Sequence, residues 1–327
     1  HGFDKVVRML RGWASGRSTE EVFQQVLGMD VNTLDAGFRA HAMQRLSARA
    51  NDFSVDFEAY TDLDVHAAAA AAAPRDASAL AAHAAAMLVS GDAAGAERVA
   101  NEALAITATE PVAHFVLARI HAARQEGADA ERHIRAIVDG GRDGYELRLL
   151  LARSALGREE KAAALTELRA ATAIDSERPE AWHGIRDIAG SMDDAAGVRA
   201  ALERIVNIDE HDRAANAELL AILVEAEDWD AALRIGEMAP FVDPHNAQSH
   251  RLLAQVYAAK GQHDKALYEA DTALIAGHEA VGEVQLIRVQ ALRALGRARD
   301  ARAAGEAAIA ADAALAPRVQ SALGNAP

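Results

Sequence analysis

A period of 34 residues runs through most of the chain and constrains its fold more than any other feature. The string Pro-Glu-Ala-Trp at 179–182 opens one frame, and steps of 34 residues in both directions give seven frames, which begin at 77, 111, 145, 179, 213, 247 and 281. The seventh position is aliphatic in every frame but the first: His83, Leu117, Leu151, Ile185, Leu219, Leu253 and Ile287. Position 20 is alanine in five frames, and Ala301 takes that place in the last frame because Gly296 comes one residue late. Self-similarity at a fixed stride indicates a repeat architecture.

The apolar columns of each frame fit two helices that face each other. Positions 4, 7, 8 and 11 lie on one face of a first helix, and positions 20, 24 and 27 form a stripe on a second helix. Neither helix can bury its stripe alone, so successive pairs must stack. Alanine dominates the composition, aromatic residues make up only 4%, and alanine has the highest helix propensity. The sequence therefore predicts an all-α fold: an α-solenoid of about seven helix–turn–helix repeats over residues 77–312, with a capping helix in residues 313–327.

The frame that begins at 247 carries the residue types of a known repeat at seven positions: Leu253, Ala254, Tyr257, Gly261, Ala266, Ala273 and Leu274. These columns resemble the tetratricopeptide repeat, a helix–turn–helix unit of 34 residues. The resemblance implies stacked pairs whose first helices line a concave groove that binds a protein or peptide. Arg186 and Arg288 replace the small residue at position 8, and Gly236 replaces a bulky residue at position 24. We expect those frames to be loose or locally adapted.

Residues 1–48 do not keep the phase of the repeat and predict three short helices. Residues 18–21 (Ser-Thr-Glu-Glu) form a capping box that starts the second helix, which Gly28 ends, and Asn32 is expected to cap a third helix over Leu34–Leu46. The strings at 2–7, 18–23 and 27–29 resemble the C-terminal tail of a bacterial peptidase-MA-like (gluzincin) domain. That resemblance implies zinc ligands upstream of His1 and a periplasmic or envelope location. Because the chain has no H-E-x-x-H, no catalytic residue is carried over from that family. The missing initiator Met indicates a fragment or a processed product.

Residues 49–76 are expected to join this segment to the repeats. Residues 49–60 are polar, lack helical phase and are interpreted as a linker, whereas Asp62–Ala73 predicts one helix that ends before Pro74 and caps the first repeat.

Several kinds of chemistry lack their motifs in this sequence. The chain has no cysteine, so disulfides and thiolate metal sites are excluded, and its net charge of −15 argues against a nucleic-acid surface. No run of 18 apolar residues predicts a transmembrane segment. His83, His114 and His121 are the closest histidine cluster, but they stand at packing positions. The glycine-rich loop at 140–144 lacks the lysine and spacing of a phosphate loop and predicts a helix C-cap. We therefore expect no catalytic site, no metal and no cofactor.

Positions 2, 5, 9 and 12 of each frame are expected to point into the concave groove. Candidate binding residues at these positions are Phe115, Arg119, Arg153, His183, Asp187, Arg251, Gln255 and Gln285. The arginines offer rigid forks for carboxylates or backbone carbonyls, although each can equally be an exposed arginine on a helix surface.

Three functions remain open at this level. The first is a non-catalytic scaffold that binds a peptide or protein in the groove. The second is the substrate-positioning C-terminal half of a zinc metallopeptidase-like protein, and the third is a structural subunit of a larger assembly.

Overall fold

The computed structural model describes residues 2–47 and 52–324, which hold nineteen α-helices and no β-strand. These helices form two compact units, His1–Ser176 and Glu177–Pro327. None of the helices in the described part of the chain combines the length and apolarity needed to cross a membrane.

Three helices precede the repeats: α1 (Phe3–Ala14), α2 (Thr19–Leu27) and α3 (Val31–Ser47). The predicted capping box is present, since the Glu21 amide donates to Ser18 Oγ and the Ser18 amide donates to Glu21 Oε2. The prediction that Asn32 caps the third helix is wrong. Asp30 does so instead, because its Oδ1 accepts the Thr33 amide at 2.7 Å, and the helix therefore begins at Val31.

Seven helix pairs follow α4 (Leu63–Ala72). The first helices of the pairs are α5 (Ala77–Val89), α7 (Pro111–Ala123), α9 (Tyr145–Gly157), α11 (Pro179–Gly190), α13 (Arg213–Glu225), α15 (Ala247–Ala259) and α17 (Val281–Ala294). The second helices are α6 (Ala93–Ile106), α8 (Gly127–Asp139), α10 (Lys161–Ile174), α12 (Ala195–Ile208), α14 (Trp229–Val242), α16 (His263–Ile275) and α18 (Ala298–Ala311). Every first helix begins at its predicted frame start. Within each unit the helix pairs stack as an α-solenoid of helix–turn–helix repeats, as predicted.

A cap covers the last pair. Residues Ala313–Leu315 form a 3-10 turn that leads into α19 (Ala316–Leu323), with Pro317 in its first turn, where a missing amide costs no hydrogen bond. Leu315 and Val319 are buried against α17 and α18, so the apolar face that a terminal repeat would expose is covered.

The extra residue of the last frame is taken up by α17 itself. This helix has fourteen residues, whereas α15 has thirteen, and α18 accordingly begins at Ala298, one residue later than the frame predicts. The inward positions of α17 are therefore shifted by one residue: Val289 is fully buried where a small position-8 residue was expected, and Arg288 is only half-buried. Arg288 thus does not fill the position that the repeat pattern gave it.

The other two departures from the pattern are accommodated by close packing and pairing. Gly236 is buried against α15, where a Cβ on residue 236 would lie 2.8 Å from Leu253 Cδ1. Arg186 stays half-buried and forms an ion pair with Glu218 on α13. Both frames are adapted to their unusual residues.

The turn within each pair needs a residue with positive φ at one fixed place. Glycine supplies it at Gly91, Gly261 and Gly296, where the left-handed region carries no steric penalty. The four remaining pairs use residues with a side chain: Gln125, Glu159, Asp193 and Glu227, with φ between 54° and 63°. These four turns hold a conformation that non-glycine residues rarely adopt.

Candidate functional site

Three of the predicted groove residues come together in the first unit. Phe115 and Arg119 on α7 and Arg153 on α9 line one pocket of about 270 Å³. Ile134 and Leu150 are among the apolar residues of its wall. Arg119 and Arg153 are exposed, as a binding surface requires, but Phe115 is only 8% exposed.

Phe115 is covered by a segment of the same chain. The ring of Phe53 meets the Phe115 ring edge-on with centroids 6.2 Å apart, and the ring of Phe57 lies at 5.9 Å, tilted by 31°. Val55 packs against the same apolar cluster. The guanidinium of Arg119 lies 5.1 Å from the centre of the Phe57 ring, within the range of a cation–π interaction. Residues 52–60, interpreted from the sequence as a linker, are therefore docked on the surface that was expected to receive a partner.

The main chain of this segment is fixed at the loop before α9. The Phe53 amide donates to the Asp143 carbonyl oxygen at 2.7 Å, and the Tyr145 amide donates to Asp52 Oδ1 at 2.9 Å. Gly144 stands between these two contacts, and a Cβ there would lie only 2.3 Å from the Phe53 carbonyl oxygen. Sequence reasoning predicted the left-handed glycine of this loop, which is Gly141 with φ 83°, but it missed the close approach at Gly144.

An ion-pair network holds the same loop in place. Arg148 donates to both carboxylate oxygens of Asp143, at 2.8 and 2.7 Å, and to Glu167 Oε2 on α10 at 2.7 Å. These hydrogen bonds to carboxylates raise the pKa of Arg148 above its ordinary value. A two-pronged arginine–carboxylate contact is both strong and directional, so the Asp143 carbonyl that receives Phe53 is well positioned.

The second unit has a larger pocket on the first helices α13, α15 and α17. Its volume is about 820 Å³, and it is lined by two of the predicted residues, Arg251 and Gln255, together with apolar side chains such as Leu252 and Leu286. Gln285 is not among the lining residues; it accepts a hydrogen bond from Arg288 at 2.7 Å, while Glu283 and Gln290 of the same helix line the pocket. The one-residue shift of α17 accounts for this exchange of roles.

Arg251 is half-buried in that pocket. Its Nε donates to Gln248 Oε1 at 3.1 Å, and within the described chain its guanidinium forms no ion pair with a carboxylate. Burial lowers the pKa of Arg251, because removing a cation from water disfavours its charged form. Nearby, Arg318 is paired with Glu283 at 2.5 Å. Arg251 is thus a partly desolvated cation in the wall of a pocket that Glu283 also lines, and the charge of Glu283 opposes part of the lowering of its pKa.

The remaining two predicted residues lie on α11, away from this pocket. His183 Nε2 is 3.3 Å from Oδ2 of Asp212, the N-cap residue of α13, and Asp187 is paired with Arg186 at 2.6 Å.

A histidine cluster lies within the α7–α8 pair. His133 on α8, which sequence reasoning missed, places its Nδ1 2.9 Å from His114 Nδ1 and stacks on His121. His114 Nε2 donates to the Ala108 carbonyl oxygen, so its Nδ1 is the acceptor for His133. Burial, and secondarily the neighbouring His114, lower the pKa of His133 to about 4. His133 is therefore a neutral group in the packed interior, held by its hydrogen bond to His114.

One group in the described chain brings together side chains that could hold a metal ion. His121, Glu126 and Asp129 place one ligand atom each within 4.8 Å of the others. His121 Nδ1 is already hydrogen-bonded to Glu126 Oε2 at 2.6 Å across the turn between α7 and α8. That hydrogen bond gives the pair a structural role in closing the turn.

Comparisons with known proteins identify neither a family nor a relative. No protein family matches the sequence, and no curated protein matches it significantly. Solved structures with a similar fold include YrrB, described as a tetratricopeptide-repeat protein with an unusual peptide-binding site, at 17% identity and a TM-score of 0.33 over 66% of this chain and 94% of that one. A tetratricopeptide repeat protein from Parabacteroides merdae is 13% identical, with a TM-score of 0.41 over 76% and 99% of the two chains. PilF of Pseudomonas aeruginosa is 16% identical, with a TM-score of 0.39 over 60% and 90%. At these identities and TM-scores the similarities carry no argument about function.

Proposed function

We propose that this chain is a non-catalytic interaction scaffold that binds a peptide or protein on the first helices of its repeats. The observation that carries the proposal is the pocket of about 820 Å³ with Arg251 in its wall. Repeat stacks bury their apolar stripes between neighbouring pairs and leave a row of first helices facing outward, which suits an extended partner. Of the eight groove positions predicted from the sequence, Arg251 and Gln255 carry this proposal.

The chemistry of Arg251 defines the partner more closely. A half-buried guanidinium has lost part of its hydration. A carboxylate on the partner would replace the lost hydrogen bonds to water with two parallel hydrogen bonds to the guanidinium. Leu252, Leu286 and Trp229 supply apolar surface around it. We infer that the bound peptide carries an aspartate, a glutamate or a free C-terminus flanked by apolar side chains.

Display of random twelve-residue peptides on phage tests this function. The wild-type chain, Arg251→Gln and the control Arg234→Gln are immobilised separately; Arg234 is an exposed arginine on the second helix α14 whose side chain donates only to the Asp230 carbonyl oxygen. Enriched peptides are then synthesised with a fluorophore, and their Kd is measured by anisotropy. Because hydrogen bonds to charged groups contribute about 1.5–3 kcal/mol, we expect Arg251→Gln to weaken binding roughly tenfold or more and Arg234→Gln to change it less than twofold. Failure to enrich any acidic peptide, or equal binding by Arg251→Gln, would refute the proposal.

The N-terminal helices favour a second candidate function. Phe3, Phe38 and Met43 on α1 and α3 are 78%, 67% and 70% exposed, an unusual amount of apolar surface for helices that carry a resemblance to a peptidase-MA-like tail. In this reading the helices pack against a zinc domain encoded upstream, and the repeats position its substrates. The coding sequence that precedes His1 decides the matter, since a zinc-ligand helix there is required.

A further inference from the structure

Residues 52–57 (Asp-Phe-Ser-Val-Asp-Phe), here named the docked segment, lie in extended form on the first helices of the first unit. Their exposure alternates: Phe53, Val55 and Phe57 are half-buried on one side, while Ser54 and Asp56 are exposed on the other. Alternation with a period of two is the pattern of an extended chain with one face against a surface. The docked segment therefore contacts the repeats as a bound peptide would.

The surface beneath this segment recognises both its main chain and its side chains. The main chain is held by the hydrogen bond from the Phe53 amide to the Asp143 carbonyl oxygen, and the Tyr145 amide donates to the Asp52 side chain. Gly144 leaves room for the Phe53 carbonyl. The φ of Gly144 is −161°, which any residue adopts, so glycine is required here by the close approach alone. Phe115 and Arg119 receive the aromatic rings. Backbone pairing with pockets for alternate side chains is a general mode of peptide recognition.

The surface extends beyond what the docked segment covers. The pocket of about 270 Å³ lies beside Phe115 and is lined by Arg119, Leu150 and Arg153. Arg153 is exposed, and no ion pair holds it within the described chain. A peptide longer than the docked segment can therefore also contact the apolar wall of this pocket and the guanidinium of Arg153.

We propose that this surface, formed by Phe115, Arg119 and Gly144, is a binding site for an extended peptide of a partner protein. The peptide carries a carboxylate, an aromatic residue, an aliphatic residue and a second aromatic residue at positions 1, 2, 4 and 6, as the docked segment does. The docked segment is its resident occupant, and a partner with the same pattern displaces it. This inference extends the proposed function to the first unit; its experiment does not involve Arg251, so either can fail while the other stands.

Tethering gives the docked segment a high effective concentration, so the wild-type chain is expected to bind a free peptide weakly. The apparent Kd of any competitor is its intrinsic Kd divided by the fraction of molecules with an open site. A variant whose own segment cannot occupy the site should bind the free peptide much more tightly.

The experiment uses a fluorescent peptide with the sequence of residues 52–62, and anisotropy is measured with full-length chains. We expect the double variant Phe53→Ser, Phe57→Ser to bind it at least about tenfold more tightly than wild type. In that background, Arg119→Ala and Gly144→Ala are each expected to weaken binding several-fold or more, whereas the control Arg132→Ala, an exposed arginine on α8 paired with Asp129, leaves it unchanged. No binding by a double variant of normal helix content would overturn the proposal, as would equal binding of a scrambled peptide. A wild-type dimer that the free peptide dissociates would assign the surface to a second copy of the chain and would also overturn it.

Amide hydrogen exchange of the wild-type chain provides an independent test, which decides the matter if the double variant does not fold. The docked segment must leave its site without unfolding the helices, so we expect the Phe53 amide to exchange at least about a hundredfold faster than the Leu117 amide in the core of α7. Equal rates would show that the segment opens only with the core, and the proposal would then be wrong.

Discussion

The main chain of Phe53 crosses Gly144 so closely that a Cβ on residue 144 would lie 2.3 Å from the Phe53 carbonyl oxygen. The contact joins two segments that lie more than ninety residues apart in the sequence. The neighbouring hydrogen bond, from the Tyr145 amide to the Asp52 side chain, spans 93 residues. The contact makes Gly144 a direct probe of whether residues 52–57 are held.

We expect Gly144→Ala to loosen the docked segment in the otherwise wild-type chain. The added methyl group overlaps backbone rather than a flexible side chain, so the Phe53 carbonyl must move, and the hydrogen bond from the Phe53 amide to the Asp143 carbonyl oxygen is lost. Chymotrypsin should then cleave after Phe53 or Phe57 at least several times faster. The control is Gly157→Ala, since a Cβ at that helical position meets nothing within 4 Å. Unchanged cleavage in Gly144→Ala would contradict the described contact.

Glu159→Gly is expected to stabilise the chain by about 0.5–1 kcal/mol. Glu159 has φ 62° in the turn between α9 and α10, and relief of the left-handed strain, about 1–2 kcal/mol, exceeds the added entropy of glycine in the unfolded chain. Glu159→Ala removes the same side chain but keeps the strain, so it should leave the free energy of unfolding nearly unchanged. Urea denaturation followed by circular dichroism measures both variants. If Glu159→Gly does not raise the free energy of unfolding, the φ of residue 159 differs from the one described.

His133 makes stability depend on pH. Its pKa is about 4 in the folded chain against 6.5 for an ordinary histidine, so between these values the unfolded chain binds the proton more readily. Stability contributed by neutral His133 is therefore complete above about pH 7 and is lost as the pH falls from 6.5 towards 4. Between pH 7.5 and pH 5, the wild type should lose about 2 kcal/mol more than His133→Asn, whose amide can still donate to His114. Parallel pH profiles of the two proteins in urea denaturation would contradict this assignment.

Leu253→Ala is expected to destabilise the second unit by about 2–5 kcal/mol, because Leu253 is only 1% exposed and its side chain fills the space left by Gly236. Ile275→Ala is the matched control, since Ile275 is 86% exposed at the end of α16, and its effect should remain within about 0.5 kcal/mol. Urea midpoints of the two variants measure the difference. Equal midpoints would mean that α14 and α15 do not pack as described.

The pocket residues differ in how well a sequence can indicate them. Arg251 and Gln255 follow from the frame, since positions 5 and 9 face outward on every regular first helix. Gln285 was assigned by the same rule, yet the extra residue in α17 shifts the phase of that helix, and Glu283 and Gln290 line the pocket instead. The late Gly296 revealed the insertion in the sequence, but it did not indicate where along α17 the phase changes. The residue types of Gln125 and Glu159 do not indicate the positive φ of these two turns. Only their position in the frame, which is the same as that of Gly91 and Gly261, does so.

The sequence by itself determined the repeat helices, the starts of their frames and their pairing, because a fixed stride of apolar positions leaves one way for neighbouring pairs to bury their stripes. Tertiary structure alone decided that residues 52–57 lie on Phe115 and that His133 meets His114. The physical reason is that such contacts join parts of the chain whose separation in sequence follows no period. Only the packed backbone places the Phe53 carbonyl against Gly144, where a side chain would overlap it.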